Sequence, residues 1–246
     1  MSDIFAECRK LEILDVSSFD TKNVKDISGM FYYCNTIKEL NISDFDTSNI
    51  ENFSHCFNGC KSLSSLDLSK FNTKNAIDMS HMFSDCNSLR ELNLNNFDTS
   101  KVTDISYMFC SCKLLGSLNL DNFKTNEVIT MSGMFSSCSS IKEFNLNNFN
   151  TNKVIDMSYM FQDCFFTEKI NIDNFNTNNV EDMYYMFGGD KYLKSLNIIN
   201  FNTSKVKNMS HMFHACQILE SLESSNPKTN NVIDMSYMFS ECKELK

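Results

Sequence analysis

Cysteine is the residue type in this chain best suited to chemistry, and there are eleven in 246 residues, enough for disulfides, zinc or a nucleophile. Nine fall in one column at 26-residue intervals, Cys8, Cys34, Cys60, Cys86, Cys112, Cys138, Cys164, Cys216 and Cys242, with Asp190 in the remaining slot. Zinc needs matched pairs of ligands a few residues apart, and the close pairs Cys56/Cys60 and Cys110/Cys112 occur once each. Column members one coil apart would point in parallel toward the interior, which suits a small buried hydrophobe better than a disulfide. Cys56 replaces a methionine in an inward column. Cys110 stands where other coils carry Tyr32, Asn58, Ser84 or Gln162, so it is the candidate exposed thiol; with no base assigned to it, it is read as an ordinary surface cysteine.

Other reactive types repeat in the same way. His55, His81 and His211 share a column with Tyr107, Tyr159, Tyr185 and Tyr237 just ahead of a Met-Phe pair or its Cys56-Phe57 counterpart. No third ligand accompanies them, so no metal is expected. Asp78, Asp104, Asp156, Asp182 and Asp234 recur in one turn position, which reads as a hydrogen-bond cap and not as a pair of catalytic carboxylates. No glycine-rich phosphate loop or nucleophile elbow occurs. No catalytic residue and no cofactor is expected, and the chain reads as a non-enzyme.

All these columns are set by one 26-residue repeat, seen in Phe19, Phe45, Phe71, Phe97, Phe123, Phe149, Phe175 and Phe201, with Pro227 breaking the series. A strict period of this size predicts a solenoid whose coils share a core that none could bury alone. From Cys86 one coil reads Leu89, Leu92, Leu94, Phe97, Thr99, Val102, Ile105, Ser106, Met108, Phe109. Its first half, L-x-x-L-x-L, predicts a strand with the last two leucines inward and Asn93 outward. The outward asparagines Asn41, Asn93, Asn119, Asn145, Asn171 and Asn197 are expected to stack as an amide ladder. The second half, such as Val154, Met157, Met160 and Phe161, suggests a helical turn N-capped by Ser158, with a short strand around Val154 to Met157 also compatible. Threonine holds its column throughout, from Thr21 to Thr229, and its hydroxyl is expected to satisfy turn backbone groups.

The fold class is therefore an α/β repeat: a leucine-rich-repeat solenoid with one parallel-sheet strand per 26-residue coil and short helical turns or short strands on the opposite side. Residues 1–246 form a single solenoid of about nine repeats, and the uncapped pattern at both ends suggests a segment of a longer chain. The net charge of −9 argues against nucleic acid. No apolar run is long enough for a membrane span, and MSDIFAECRK is too polar for a secretory signal.

The consensus N-F-[DN]-T…V-x-D-M-S-x-M-F-x-x-C-x-x-L-x-x-L-x-L resembles the BspA-like leucine-rich-repeat surface proteins over essentially the whole chain. The resemblance implies cell-surface display or secretion and a role in adhesion or host interaction, with no catalytic residues to carry over. Partners expected on this basis are a protein or a glycan, including host-derived ones. The rival expectations are an intracellular, cytoplasmic scaffold, suggested by the many free thiols, and a structural spacer that self-associates end to end through uncapped ends. Binding sites in repeat arrays are sought where the repeat fails. Here Phe165 and Phe166 occupy positions that are usually polar, Thr167 replaces a leucine, and the next coil adds Tyr184, Tyr185, Gly188, Gly189, Asp190 and Tyr192. Phe165, Phe166, Tyr184, Tyr185 and Tyr192 are the candidate partner-binding residues.

Overall fold

The computed structural model describes residues 1–225 and 227–246. Among the described residues, its front wall carries six short strands: β1 (Ile13–Asp15), β2 (Glu39–Asn41), β3 (Glu143–Asn145), β4 (Lys169–Asn171), β5 (Ser195–Ile198) and β6 (Ser221–Ser224). They pair in parallel as β1–β2, β3–β4 and β5–β6, each in the register of the repeat, so that Leu14 lies opposite Leu40, Phe144 opposite Ile170 and Leu196 opposite Leu222. The alternation is as expected: Leu92 and Leu94 are buried and Asn93 between them is exposed.

One paired strand per coil is not what forms. In the coils that begin at Cys60, Cys86 and Cys112, residues 64–67, 90–93 and 116–119 make no backbone hydrogen bond among the described residues. Side-chain amides join these coils instead. Asn96, Asn122 and Asn148 donate through Nδ2 to the carbonyls of Leu68, Leu94 and Leu120, one coil earlier, at 2.9, 3.0 and 2.8 Å. The outward asparagines expected to stack are mostly turn caps: Asn41, Asn93, Asn119 and Asn197 accept the N–H two residues on through Oδ1.

Among the described residues, the back wall contains no helix. Isolated parallel bridges run from Asp26↔Asn52 to Asn208↔Asp234, one per coil step, and each is followed by a ribbon of overlapping turns. In one coil, the N–H groups of Phe53, His55, Phe57 and Gly59 donate to the carbonyls of Asp78, Ser80, Met82 and Ser84 in the next coil at 2.8–3.0 Å. Between them, the N–H groups of Cys56, Asn58 and Cys60 fold back three residues to Phe53, His55 and Phe57. Successive amides thus point alternately across coils and along the chain. The backbone achieves this with two left-handed residues per coil, here His55 at φ 55° and Gly59 at φ 78°. An α-helix needs every residue right-handed, which is why the apolar spacing of Met157, Met160 and Phe161 does not become a helical turn. With no helix to cap, Ser80, Ser106 and Ser158 instead give their N–H to Oδ1 of Asp78, Asp104 and Asp156, each at 2.8 Å, the capping role expected of the aspartates.

Stacking one coil on the next puts like on like. From Phe5 and Phe31 to Phe213 and Phe239, the phenylalanine rings of the turn ribbon stack with centroids 5.4–5.9 Å apart. Methionine, valine and isoleucine columns fill the interior beside them. The buried threonine column works between coils and not within its own turn: Thr99 Oγ1 accepts the N–H of Lys124 at 2.8 Å and donates to the carbonyl of Lys124 at 3.0 Å. Replacing Thr99 by Val leaves both backbone groups of Lys124 without that partner. Urea unfolding should show a loss of about 1–3 kcal/mol for Thr99→Val, with Thr99→Ser retaining most of the stability.

Candidate functional site

The cysteine column lies inside, and its thiols act as donors. Cys60 Sγ faces the Phe31 carbonyl at 3.3 Å, and the same bond, 29 residues back, recurs at Cys34, Cys86, Cys112, Cys138, Cys164, Cys216 and Cys242 at 3.0–3.2 Å. Burial pushes Cys34 up to about 11 and Cys86, Cys138 and Cys164 well above the ordinary thiol value, so these thiols stay protonated and keep the hydrogen that the bonds need, whereas the Cys216 sulfur beside it lowers Cys242. All eleven cysteines are unbridged. Cys110 is half-buried and not exposed, because Ser84, Ser111 and Ser136 surround its sulfur; Cys8 and Cys242 are covered to a similar degree.

The histidine–tyrosine column forms a half-buried stack at one of the two left-handed positions. His55 and His81 lie 4.4 Å apart and nearly parallel, and His81 and Tyr107 are 4.8 Å apart. Burial lowers the pKa of both histidines below the usual imidazole value. The stack resumes through Tyr159, Tyr185, His211 and Tyr237. Among the described residues, no three His, Cys, Asp or Glu side chains gather to hold a metal ion.

The irregular coils divide the five candidate aromatic residues into two groups. Tyr184 and Tyr185 join the histidine–tyrosine stack, touching Tyr159 and His211. Gly188 makes room there, since a Cβ on it would run into the Tyr185 ring. Phe166 and Tyr192 lie together elsewhere, with Phe165 one column away, and among the described residues no ring contact connects them to Tyr184 or Tyr185. The reason is the repeat: residues in different columns stay on separate lines along the rod.

At the second group, Thr167 is fully buried in the leucine position and gives its hydroxyl to the Ile141 carbonyl at 2.7 Å. Neither phenylalanine is drawn in to replace the missing leucine. Phe166 is 53% exposed and Tyr192 50% exposed, their rings 5.5 Å apart. Phe165 is half-buried beneath the Lys191 ammonium, 4.8 Å from the ring centroid. Ile218 continues the column, and Glu168, Lys169, Tyr192, Lys194, Ser195 and Ile218 line an adjoining hollow of about 660 Å³. Lys191, Lys194 and Ile218 were not among the sequence candidates. The signal was present in the spacing, since Phe166, Tyr192 and Ile218 are successive members of one outward column. This arrangement can bind through exposed aromatic area flanked by mixed charge.

No curated protein matches the chain by sequence. Among solved structures, it is similar to a leucine-rich repeat protein from Bacteroides ovatus, 18% identical over 100% of this chain and 68% of that one, with a TM-score of 0.47. It is also similar to a leucine rich cell surface protein from Faecalibacterium prausnitzii, 19% identical over 100% of this chain and 74% of that one, with a TM-score of 0.45. The solenoid itself rests on the coil-to-coil register described above. A family model described as "Mycoplasma protein of unknown function, DUF285" matches residues 1–93, 78–171 and 164–246. With matches that span its whole length, the chain belongs to the DUF285 family.

Proposed function

We propose that residues 1–246 are one solenoid domain that serves as a non-enzymatic interaction module at the cell surface, binding a protein or glycan partner through the strip formed by Phe165, Phe166 and Tyr192. One observation carries this reading. Two large aromatic side chains remain half exposed in adjacent coils, at positions where the solenoid elsewhere tolerates polar residues. Leaving such area in water is unfavourable, and aromatic residues are the usual anchors of interfaces. Surface display is supported by the BspA-like consensus. The rival reading, an intracellular scaffold, is favoured by eleven unbridged cysteines. That argument is weakened by the thiol-to-carbonyl bonds, which give most of the sulfurs a structural reason to stay reduced in any compartment.

An antibody against the repeats should label intact producing cells; labelling only after lysis would contradict surface display. On arrays of matrix proteins and oligosaccharides, Phe166→Ala/Tyr192→Ala should bind about 30-fold or more weakly than the unaltered protein, with its unfolding temperature little changed. Equal binding by the two proteins would remove the strip from the account.

A further inference from the structure

Asp190 is the one member of the cysteine column that is not a cysteine. It is fully buried, 0% exposed. From Cys34 onward, each cysteine in the column brings a hydrogen to the carbonyl of the phenylalanine 29 residues earlier; for Asp190 that residue is Phe161, whose carbonyl receives the Cys164 N–H and, among the described residues, no side-chain donor. The carboxyl is half satisfied. Oδ1 accepts the N–H of Cys164 at 2.9 Å, while Oδ2 is buried with no hydrogen-bond partner. An ionised carboxylate has no hydrogen to give, whereas a protonated one matches the thiol it replaces, accepting on one atom and donating from the other.

We propose that Asp190 is a proton-held latch: it carries a neutral carboxylic acid in the folded chain, its Oδ2 hydrogen stands in for the missing thiol hydrogen, and loss of that proton loosens the turn that presents the aromatic strip. The connection to the strip is direct. The Oδ1 bond ends on the backbone of Cys164, the residue before Phe165, and Asp190 itself precedes Lys191 and Tyr192. One buried carboxyl thus ties together the two turns that hold the exposed rings.

The groups around it keep the proton in place. Asp163 and Cys164 face Asp190 from the preceding coil and Cys216 faces it from the following coil. None supplies positive charge. Burial raises the pKa of both thiols, with the Cys242 sulfur the larger cause at Cys216, and burial also raises that of Asp163. The Lys191 and His214 side chains act on Asp163. Burial accordingly raises the Asp190 pKa well above the ordinary carboxylate value, and the neighbouring Asp163 charge adds to this. Gly189 maintains the close packing, with φ +83° and a position where a Cβ would meet the Asp163 carboxylate.

The sign follows from proton linkage. The unfolded chain releases this proton at about pH 4 while the folded chain keeps it, so the stabilising contribution is complete at low pH and declines as pH rises toward the folded pKa. The latch is tight in acid and loosens toward alkaline pH.

The test compares the unaltered protein with Asp190→Cys, which restores the column's own residue, and with Asp190→Asn, across pH 5 to 8. Relative to Asp190→Cys, the unfolding constant of the unaltered protein should rise by up to about tenfold per pH unit, whereas Asp190→Asn should run parallel to Asp190→Cys. All other titrating groups are common to the three proteins and cancel in the comparison. Carboxyl ¹³C NMR should show Asp190 protonated at pH 6. Parallel pH curves for the unaltered protein and Asp190→Cys, or an ionised Asp190 at pH 6, would overturn the latch. Its effect on partner binding rests on the strip proposed above, but these readouts use no partner, so the latch and the strip can fail separately.

Discussion

The structure depends on a backbone constraint: alternate amides of each turn ribbon donate to carbonyls of the next coil. This ladder fixes the spacing of coils and the phase of the repeat together. It places tyrosine, histidine, aspartate and serine at positive φ, as at Tyr107 (54°) and Ser111 (60°), a conformation that costs each such residue about 1–2 kcal/mol. The strain persists because each ribbon is bonded to neighbours on both sides. A single inserted residue would shift every later column by one place and set apolar residues against polar ones.

A strict period also forces identical residues into contact, and the chain is selective about which ones. Phenylalanine, methionine and threonine gain from like neighbours, through ring stacking, packing and reciprocal hydrogen bonding. Charges do not, and at the surface several pair with an opposite charge one coil away: Lys25 with Glu51, Lys38 with Glu12, Lys169 with Glu143 and Lys207 with Glu181. Being exposed, each pair contributes at most about 1 kcal/mol; its main effect is to avoid stacked like charges. Asp190 brings the same problem into the interior, where neutralisation by a proton takes the place of a counter-ion.

Much of this was legible in the sequence because it depends on spacing alone. The solenoid, the inward cysteine column, the inward Leu92 and Leu94 and the capping aspartates all follow from counting in steps of 26. The turn ribbon was not legible. Its left-handed columns are filled mostly by residues such as His81 and Tyr107, whose types give no sign of positive φ; only Gly29, Gly59, Gly133 and Gly189 hinted at it. Lapsed strand pairing was hidden for a related reason, since Leu66 and Leu92 carry the same strand pattern as Leu40. At the candidate site, nearness along the chain misled. Tyr185 and Tyr192 are close in sequence, but they belong to columns that do not meet, whereas Phe166 and Tyr192 lie a full coil apart and touch.

If the inter-coil ladder is the controlling interaction, phase must matter more than length. Two deletions separate these: residues 79–104, one whole coil, and residues 79–103, one residue fewer. The measurement is cooperative urea unfolding followed by circular dichroism. The whole-coil deletion should unfold in a single sharp transition close to that of the intact chain, because every remaining column stays in register. The shorter deletion should lose cooperativity or unfold at far lower urea. Equal behaviour of the two proteins would contradict the account.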